Sequence, residues 1–484
     1  MWKWLGKQVH QSWLVVWLCV GIVVGVVVGM VFRVNYFASP VWVVFGVILM
    51  VVGYLRPRCV MMMLAVVAGM VLAFGRIASE LAGENYVKGL CGYEVVVSGV
   101  VEGDPETDEN ATKLKLGDLR FGEEEIGAAG SIYVTMNENE ELAREDKVTL
   151  SGEMSDGFGT YVGYMYRPKL VKWERPEPGS WVLKVRNWFA ERVRMVVLEP
   201  EVRLGLSYLM GLKTGLPDEL DENLQIVGLT HIVVASGTHL SILVEMARKI
   251  FGKLSRFAGV LFAGVFVVFF MAMVGWTPSI MRAGLMTLLT LVSWYSGREV
   301  AAWRLILMVA AVTLMVEPGF VGNMGWQLSF ASYAGIMMIG PRVTKFFYGA
   351  KRPGLIGGTV IATLSATTMT LPIILYYYGM MSLVSVVANL LILPTLPWVM
   401  GLVFVAGAVV GLPGVSVVVG WCATKMLDYH MMVVGWFAGM REFVVEMPRY
   451  CNWVWGVYGV VGLGFLFAST KRLWYDKKYE KHNQ

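Results

Sequence analysis

Apolar runs of membrane-crossing length alternate with short basic turns along most of this chain, and one block, residues 79–178, departs from that pattern. The first run, 13–32, is long enough to span a hydrocarbon core and comes after Lys3 and Lys7; two more come at about 40–55 and 60–77. No small-residue A-x-A cleavage site stands after the first run, so it is expected to stay as an anchor rather than leave as a signal peptide. Arg56 and Arg58 occupy the turn between the second and third runs. By the positive-inside rule the N-terminus and that turn are cytoplasmic, and three crossings put the block 79–178 outside.

Within 79–178 the hydrophobic period changes to two. Residues 93–102 alternate around Val95, Val97 and Val100, and 112–121 around Leu114 and Leu116; shorter runs lie at 130–136, 146–153 and 168–174, punctuated by Gly, Asp and Asn. Strands this short and this many fit a small barrel of the OB type, and the pattern alone fits a sandwich fragment equally well. Next, 181–198 reads WVLKVRNWFAERVRMVVL, in which Lys184, Arg186, Arg192 and Arg194 alternate in blocks with Trp181, Trp188, Phe189 and Met195. A helix lying in the membrane interface and an ordinary amphipathic helix packed on the barrel share that pattern.

Beyond residue 228 the apolar runs resume. Arg248, Lys249, Lys253 and Arg256 form one basic turn, Arg298 and Arg304 a second, and Arg342, Lys345, Lys351 and Arg352 a third, all three assignable to the cytoplasm. The turns at 276–278, 317–319 and 376–379 then face outside, and the tail with Lys471, Arg472, Lys477, Lys478 and Lys481 faces inside. Parity requires 382–411 to cross once although it contains Pro394 and Pro397. This predicts a kinked or broken helix there, a feature membranes tolerate where protein or water satisfies the freed backbone groups; Pro278 is a third expected break.

Composition sharpens this picture. Of 484 residues 56% are apolar and 16% charged, with a mean hydropathy of +0.59, against roughly 25% charged in soluble domains. The block 79–178 holds 21 acidic and 10 basic residues, a net charge of −11, inside a chain whose remainder is +16. The expected fold class is therefore a polytopic α-helical membrane protein with a small acidic extracytoplasmic β-barrel inserted in it. Cys19, Cys59, Cys91, Cys422 and Cys451 are scattered without a CxxC pair, which suggests neither a disulfide framework nor a zinc site. No GxxxxGK[ST] phosphate loop is present.

The most polar interruption of an apolar stretch is GLTHIVVASGTH at 228–239, carrying His231, Ser236, Gly237 and His239. Unpaired polar groups are expensive in a bilayer, so such groups usually face a bundle interior or a water-filled path. As metal ligands the histidines are badly spaced: eight apart, they would stand about 80° apart around one continuous helix. A protease reading of Ser236 and His239 lacks the GxSG turn, since position 234 is Val. Ser236 and Gly237 also suit close helix packing. Arg282 comes soon enough after Pro278 for its stem to snorkel to the outer interface, or for its planar fork to meet a phosphate or a carboxylate. Gln327, Ser329 and Asn389 are uncharged hydrogen-bonding groups in other runs, available for helix–helix bonds or for lining a path.

Residues 205–400 resemble the competence domain of the ComEC family, inner-membrane channels through which transformable bacteria take up single-stranded DNA. The resemblance rests on GLTHIVVASGTH at 228–239, GWTPSIMRAGLM at 275–286, GWQLSFASYAGI at 325–336 and TLPIILYYYGMMSLVSVVANLLILP at 370–394. Thr238 departs from the apolar residue usual between the glycine and histidine of the SGxH motif. Many members also carry a metallo-β-lactamase-like domain; the chain has five histidines and no HxHxDH-like cluster, so the resemblance is to a short form without it.

The resemblance implies an N-terminal three-helix membrane segment (1–78), an extracytoplasmic OB-like domain (79–178), amphipathic or interfacial helices (179–227), a competence-type channel domain (228–470) and a basic cytoplasmic tail (471–484). It implies translocation of single-stranded DNA, with His231, Ser236, Gly237, His239, Arg282, Gln327, Ser329 and Asn389 along the path and Pro278, Pro394 and Pro397 at helix breaks. Arg167, Lys169, Lys172 and Arg175 are candidate DNA contacts on the barrel, provided they gather on one face of a domain whose net charge repels a polyanion. No catalytic residue, metal or cofactor is expected. The expected partners are single-stranded DNA, membrane lipid, a DNA receptor, a separate nuclease, a cytoplasmic ATPase or helicase, and further copies in a homo-oligomer. A membrane-embedded enzyme or a small-solute transporter is the alternative.

Overall fold

The computed structural model describes residues 11–33, 48, 59–108, 111–122, 126–136, 142–177, 179–212, 215–233, 237–253, 255–297, 300–349 and 351–446. The apolar run at about 40–55, Ser236 and the tail 471–484 lie outside the described residues. Helices α1 (Gln11–Phe32) and α2 (Cys59–Gly89) pack along each other. Gly21 and Gly25 set how closely, because a Cβ at either would run into the backbone of Val66 or Met70.

The expected boundary at 78/79 falls inside α2. The charges that begin at Arg76 pair along the helix instead of ending it, Arg76 with Glu80 at 2.9 Å and Lys88 with Glu84 at 2.7 Å. The 31-residue helix, about 46 Å long at 1.5 Å per residue, therefore runs from the apolar segment into the barrel. There Val87 is fully buried in the barrel core and Tyr86 meets Phe121 edge-on at 5.7 Å.

The barrel contains β1 (Glu94–Asp108), β2 (Ala111–Phe121), β3 (Ile126–Ala128), β4 (Ile132–Met136), β5 (Lys147–Asp156), β6 (Gly163–Tyr166) and β7 (Lys169–Glu174). Pairing runs β1-β2-β4-β6-β5, and β5 pairs back to β1, so five strands close a ring; β4–β6 is its parallel pair. Closure sets aside the sandwich fragment. Inward residues of period two, among them Val97, Leu116, Ile132, Leu150 and Met165, form the core. The expected strands lacked β6, whose Gly-Tyr-Met-Tyr is too short to show a period. The expected strand 168–174 is β7, which continues past Arg167 along the same edge of β5 and stays largely exposed.

The remaining helices are α3 (Trp181–Arg194), α4 (Glu201–Met210), α5 (Asp218–Val227), α6 (Thr230–Val233), α7 (Gly237–Phe251), α8 (Arg256–Val274), α9 (Pro278–Tyr295), α10 (Ala302–Val316), α11 (Met324–Met338), α12 (Gly340–Tyr348), α13 (Leu355–Tyr378), α14 (Ser385–Ile392), α15 (Leu396–Ala408) and α16 (Val415–Ala438). A two-stranded ribbon joins β8 (Met380–Ser382) to β9 (Val444–Glu446). Among the described residues four helices are long and apolar enough to cross a membrane, and α14 with α15, bent by 47°, makes a fifth if counted as one span. Pro394 sits in that bend. Pro278 and Pro397 both stand in the first turn of a helix, where the missing N–H would have no partner anyway, so they start α9 and α15, Pro397 directly after the bend.

Two seams join barrel and helices. Arg186 of α3 makes two 2.8 Å bonds to the Asp104 carboxylate, and Arg186 and Arg144 each donate to the carbonyl of Met273, at 3.3 Å, at the end of α8. Arg186 thus leaves the polar face expected of it and is 5% exposed. Elsewhere on α3, Val182, Ala190 and Val193 point inward, Phe189 stacks on Phe404 of α15, and Trp181 and Trp188 stay exposed. At the second seam Arg76 donates to the carbonyl of Val316, 2.9 Å away. Glu317 comes next in the turn, its carboxyl pushed up to about 7 by burial and then by the neighbouring Glu80, while Lys115 and Arg76 pull it partly back. The turns after α8 and α10 therefore share the barrel's end of the molecule. At the other end of α9, Arg248 and Arg256 lie 4.3 and 4.6 Å from the Trp294 ring.

Candidate functional site

Gly228, left-handed at φ 75°, ends α5, and the described residues that come next are the four of α6 and then α7 from Gly237 on. The two histidines stand in different surroundings. His231 is exposed, with Nδ1 3.2 Å from the Gly228 carbonyl oxygen, whereas His239 is fully buried, its ring 6.3 Å from that of Tyr208 with the planes 30° apart. Among the described residues no group of three or more His, Cys, Asp or Glu side chains is placed to share a metal ion.

Gly237, Arg282 and Ser329 do come together. A Cβ at Gly237 would lie 3.3 Å from Arg282 Nη2 and from Ala283 Cβ, so glycine lets the guanidinium approach the start of α7. Arg282 Nε donates to Ser329 Oγ on α11, and the guanidinium carbon is 5.7 Å from the centre of the Tyr333 ring. Tyr333 was missed in the sequence, although it stands one turn beyond Ser329 on the same face of α11. Gln327 stays apart, donating to Val321 O at 2.7 Å within the turn before α11. Asn389 is buried on α14 and is also separate; its Oδ1 has no hydrogen-bond partner among the described residues.

A second polar group was not legible at all. Ser207 Oγ of α4 donates to the carbonyl of Val233, the last residue of α6, at 2.7 Å. The next residue, Tyr208, packs its ring near His239 and places its hydroxyl 3.3 Å from His430 Nδ1. His430 Nε2 is 2.8 Å from Thr395 Oγ1, in the bend between α14 and α15. Because the Thr395 hydroxyl donates to Ile392 O at 2.8 Å, it accepts from His430 Nε2–H, which leaves Nδ1 to accept from Tyr208. His430 and Thr395 gave only the generic signal of polar groups in apolar runs.

On the barrel, strand register sets Lys115, Tyr133 and Tyr164 side by side on the outer surface, with Lys113, Thr135 and Tyr166 in the neighbouring row. Phe158 and Tyr161, from the β5–β6 loop, close on Tyr133 at 5.4 and 5.1 Å, and Tyr133 stacks with Tyr164 at 6.1 Å. Burial pushes the phenols of Tyr133 and Tyr161 above their ordinary value. Of the four candidate cations only Arg167 joins this surface, 4.9 Å from the Tyr166 ring. Lys172 meets Glu174 at 2.6 Å, Arg175 meets Asp146 at 3.0 Å, and Lys169 stands on β7 opposite Ser151. Burial opposes ionisation of Asp146, but bonds from Arg175, the Ala143 N–H and Trp173 outweigh it and hold the carboxyl below the usual range.

The chain matches the Competence protein family over residues 208–472. It is 28% identical over 196 residues to an uncharacterized protein of Aquifex aeolicus (strain VF5), which covers 39% of this chain and 44% of that protein. It is also 28% identical over 184 residues to ComE operon protein 3 of Bacillus subtilis (strain 168), covering 37% of this chain and 22% of that one. The match thus spans less than half the length of either relative. No solved structure matches.

Proposed function

This chain belongs to the Competence protein family, and from that premise we propose that it carries single-stranded DNA across the cytoplasmic membrane, as the channel or as a subunit of it. The observation that carries the reading is the corner of Gly237, Arg282, Ser329 and Tyr333 at the start of α7. A cation on a planar fork, beside the start of a helix and an aromatic face, suits a phosphate backbone that must pass without being read.

The barrel is the receiving surface. Its ring order with one parallel pair supports an OB-like assignment, and Tyr133, Tyr164, Tyr166, Phe158 and Tyr161 offer the stacking faces by which such barrels hold single strands without sequence preference. Arg167 supplies charge at the edge of the row, and the glutamates facing Lys113 and Lys115 keep the grip weak enough for release. In this reading the barrel is extracytoplasmic and both termini are cytoplasmic. The chain works without cofactor or metal and without a catalytic site of its own, so the nuclease and the ATP-driven motor belong to other proteins.

The test is uptake of fluorescently labelled DNA into a nuclease-protected compartment, comparing cells that lack the protein with cells that carry it again. Uptake should vanish and return; undiminished uptake in the deletion sinks the proposal, and saturable exchange of a small solute in reconstituted vesicles favours a carrier instead. Asn110→Cys, in a background without native thiols, should react with an impermeant reagent on intact cells.

A further inference from the structure

Helices α14 and α15 meet at a 47° bend, which frees backbone groups that need partners. On α4 the consecutive residues Ser207 and Tyr208 hold the end of α6 and the start of α7: Ser207 bonds the Val233 carbonyl, and Tyr208 packs against His239. Tyr208 then reaches His430, and His430 reaches Thr395 in the bend. All but Thr395 are at most 1% exposed.

We propose that Ser207, Tyr208, His430 and Thr395 form a strut that fixes the end of α6 and the start of α7 relative to the α14–α15 bend, and that they act as positioning residues for translocation. None needs to touch the transported strand. The strut determines where the start of α7, and with it Gly237 beside Arg282, stands relative to the α14–α15 bend. His430 is the keystone because, as one neutral tautomer, it donates to Thr395 and accepts from Tyr208. Glutamine also offers one donor and one acceptor; alanine offers neither.

The translocation part rests on the proposed DNA transport, whereas the strut itself is measurable without it. Spin labels at Met246→Cys on α7 and Trp398→Cys on α15, both exposed positions, report the spacing of α7 and the bend in purified full-length protein in lipid nanodiscs. One narrow distance distribution is expected in the parent, a broadened or shifted one in His430→Ala and Tyr208→Phe, and a return toward the parent in His430→Gln. Unchanged distances in His430→Ala and Tyr208→Phe overturn the strut. Uptake per unit of membrane protein should fall roughly five- to tenfold in each single variant, the size expected from one net hydrogen bond, and no further in the double variant because both remove one connection. Altered distances with undiminished uptake overturn the positioning role, and a parent that imports no DNA defeats the transport reading while the distances still decide the strut.

Discussion

On the barrel surface Lys172 and Glu174 meet at 2.6 Å with most of both side chains in solvent; among the packed helices His430 has no exposed surface and is held from two sides by Tyr208 and Thr395. The first arrangement is abundant, since 79–178 carries 21 of the chain's 36 acidic residues, and the second is rare. An exposed pair contributes about 0–1 kcal/mol, whereas a buried polar group stripped of its partner costs about 1–3 kcal/mol. In this chain the number of charges in a region is therefore a poor guide to what holds it. The seam between the regions combines both features, with many charges and full burial at Arg186.

That seam gives the largest effect. Arg186→Ala leaves Asp104 and the Met273 carbonyl facing each other without the guanidinium, and by analogy with broken buried pairs should destabilise by about 3–5 kcal/mol; thermal unfolding in detergent and protease sensitivity of the barrel measure it. A loss as small as that of an exposed pair would break the comparison. Arg282→Ala comes next, with stability little changed and uptake per membrane protein falling roughly a hundredfold, as for loss of a charge-assisted contact; Arg282→Lys restores part, because a point charge replaces a fork. Normal uptake in Arg282→Ala would remove the cationic corner from the path.

On the barrel, Tyr133→Ala or Tyr164→Ala should weaken binding of short single-stranded oligonucleotides by about 1–3 kcal/mol, independent of sequence, with the phenylalanine variants near the parent. Fluorescence anisotropy with the full-length protein reads this directly. Glu317→Gln should change only the pH dependence. The Glu317 carboxyl stands at about 7 in the folded chain against an ordinary 4.5, so the folded state binds the extra proton, and stability falls as pH rises between those values and is flat above. The variant should melt a few degrees higher than the parent near about pH 8 and match it near about pH 4. Lys172→Ala closes the series, within about 0.5 kcal/mol of the parent.

Much of the architecture was legible because two periods differ so plainly. Apolar runs without period gave the helices, and alternation around Val95, Val97, Leu114 and Leu116 gave β1 and β2. The strand that closes the ring escaped, since β6 is four residues long and pairs in parallel with β4, a partner that no local pattern names. The cationic corner was half legible: Gly237, Arg282 and Ser329 each interrupt apolar sequence, but only the crossing of three helices brings them together. The Ser207–Tyr208 pair, His430 and Thr395 lie far apart in the chain, and each looks like an ordinary residue of an apolar run. The pairing of the candidate cations was not legible for the converse reason: a net charge for the block says nothing about which carboxylate faces which base, and Lys172 faces Glu174 while Arg175 faces Asp146.

The α2 rod leads to one more consequence. It passes without a hinge from among the apolar helices into the barrel core, where Val87 is fully buried and Gly83 lies against the Ala129 backbone. A lipid sheet thinner than its apolar length is accommodated by tilting such a rod. With the barrel fixed to the top of the rod, a tilt of the rod turns the barrel's aromatic row by the same angle. Shorter acyl chains would thereby re-aim the barrel with no ligand bound.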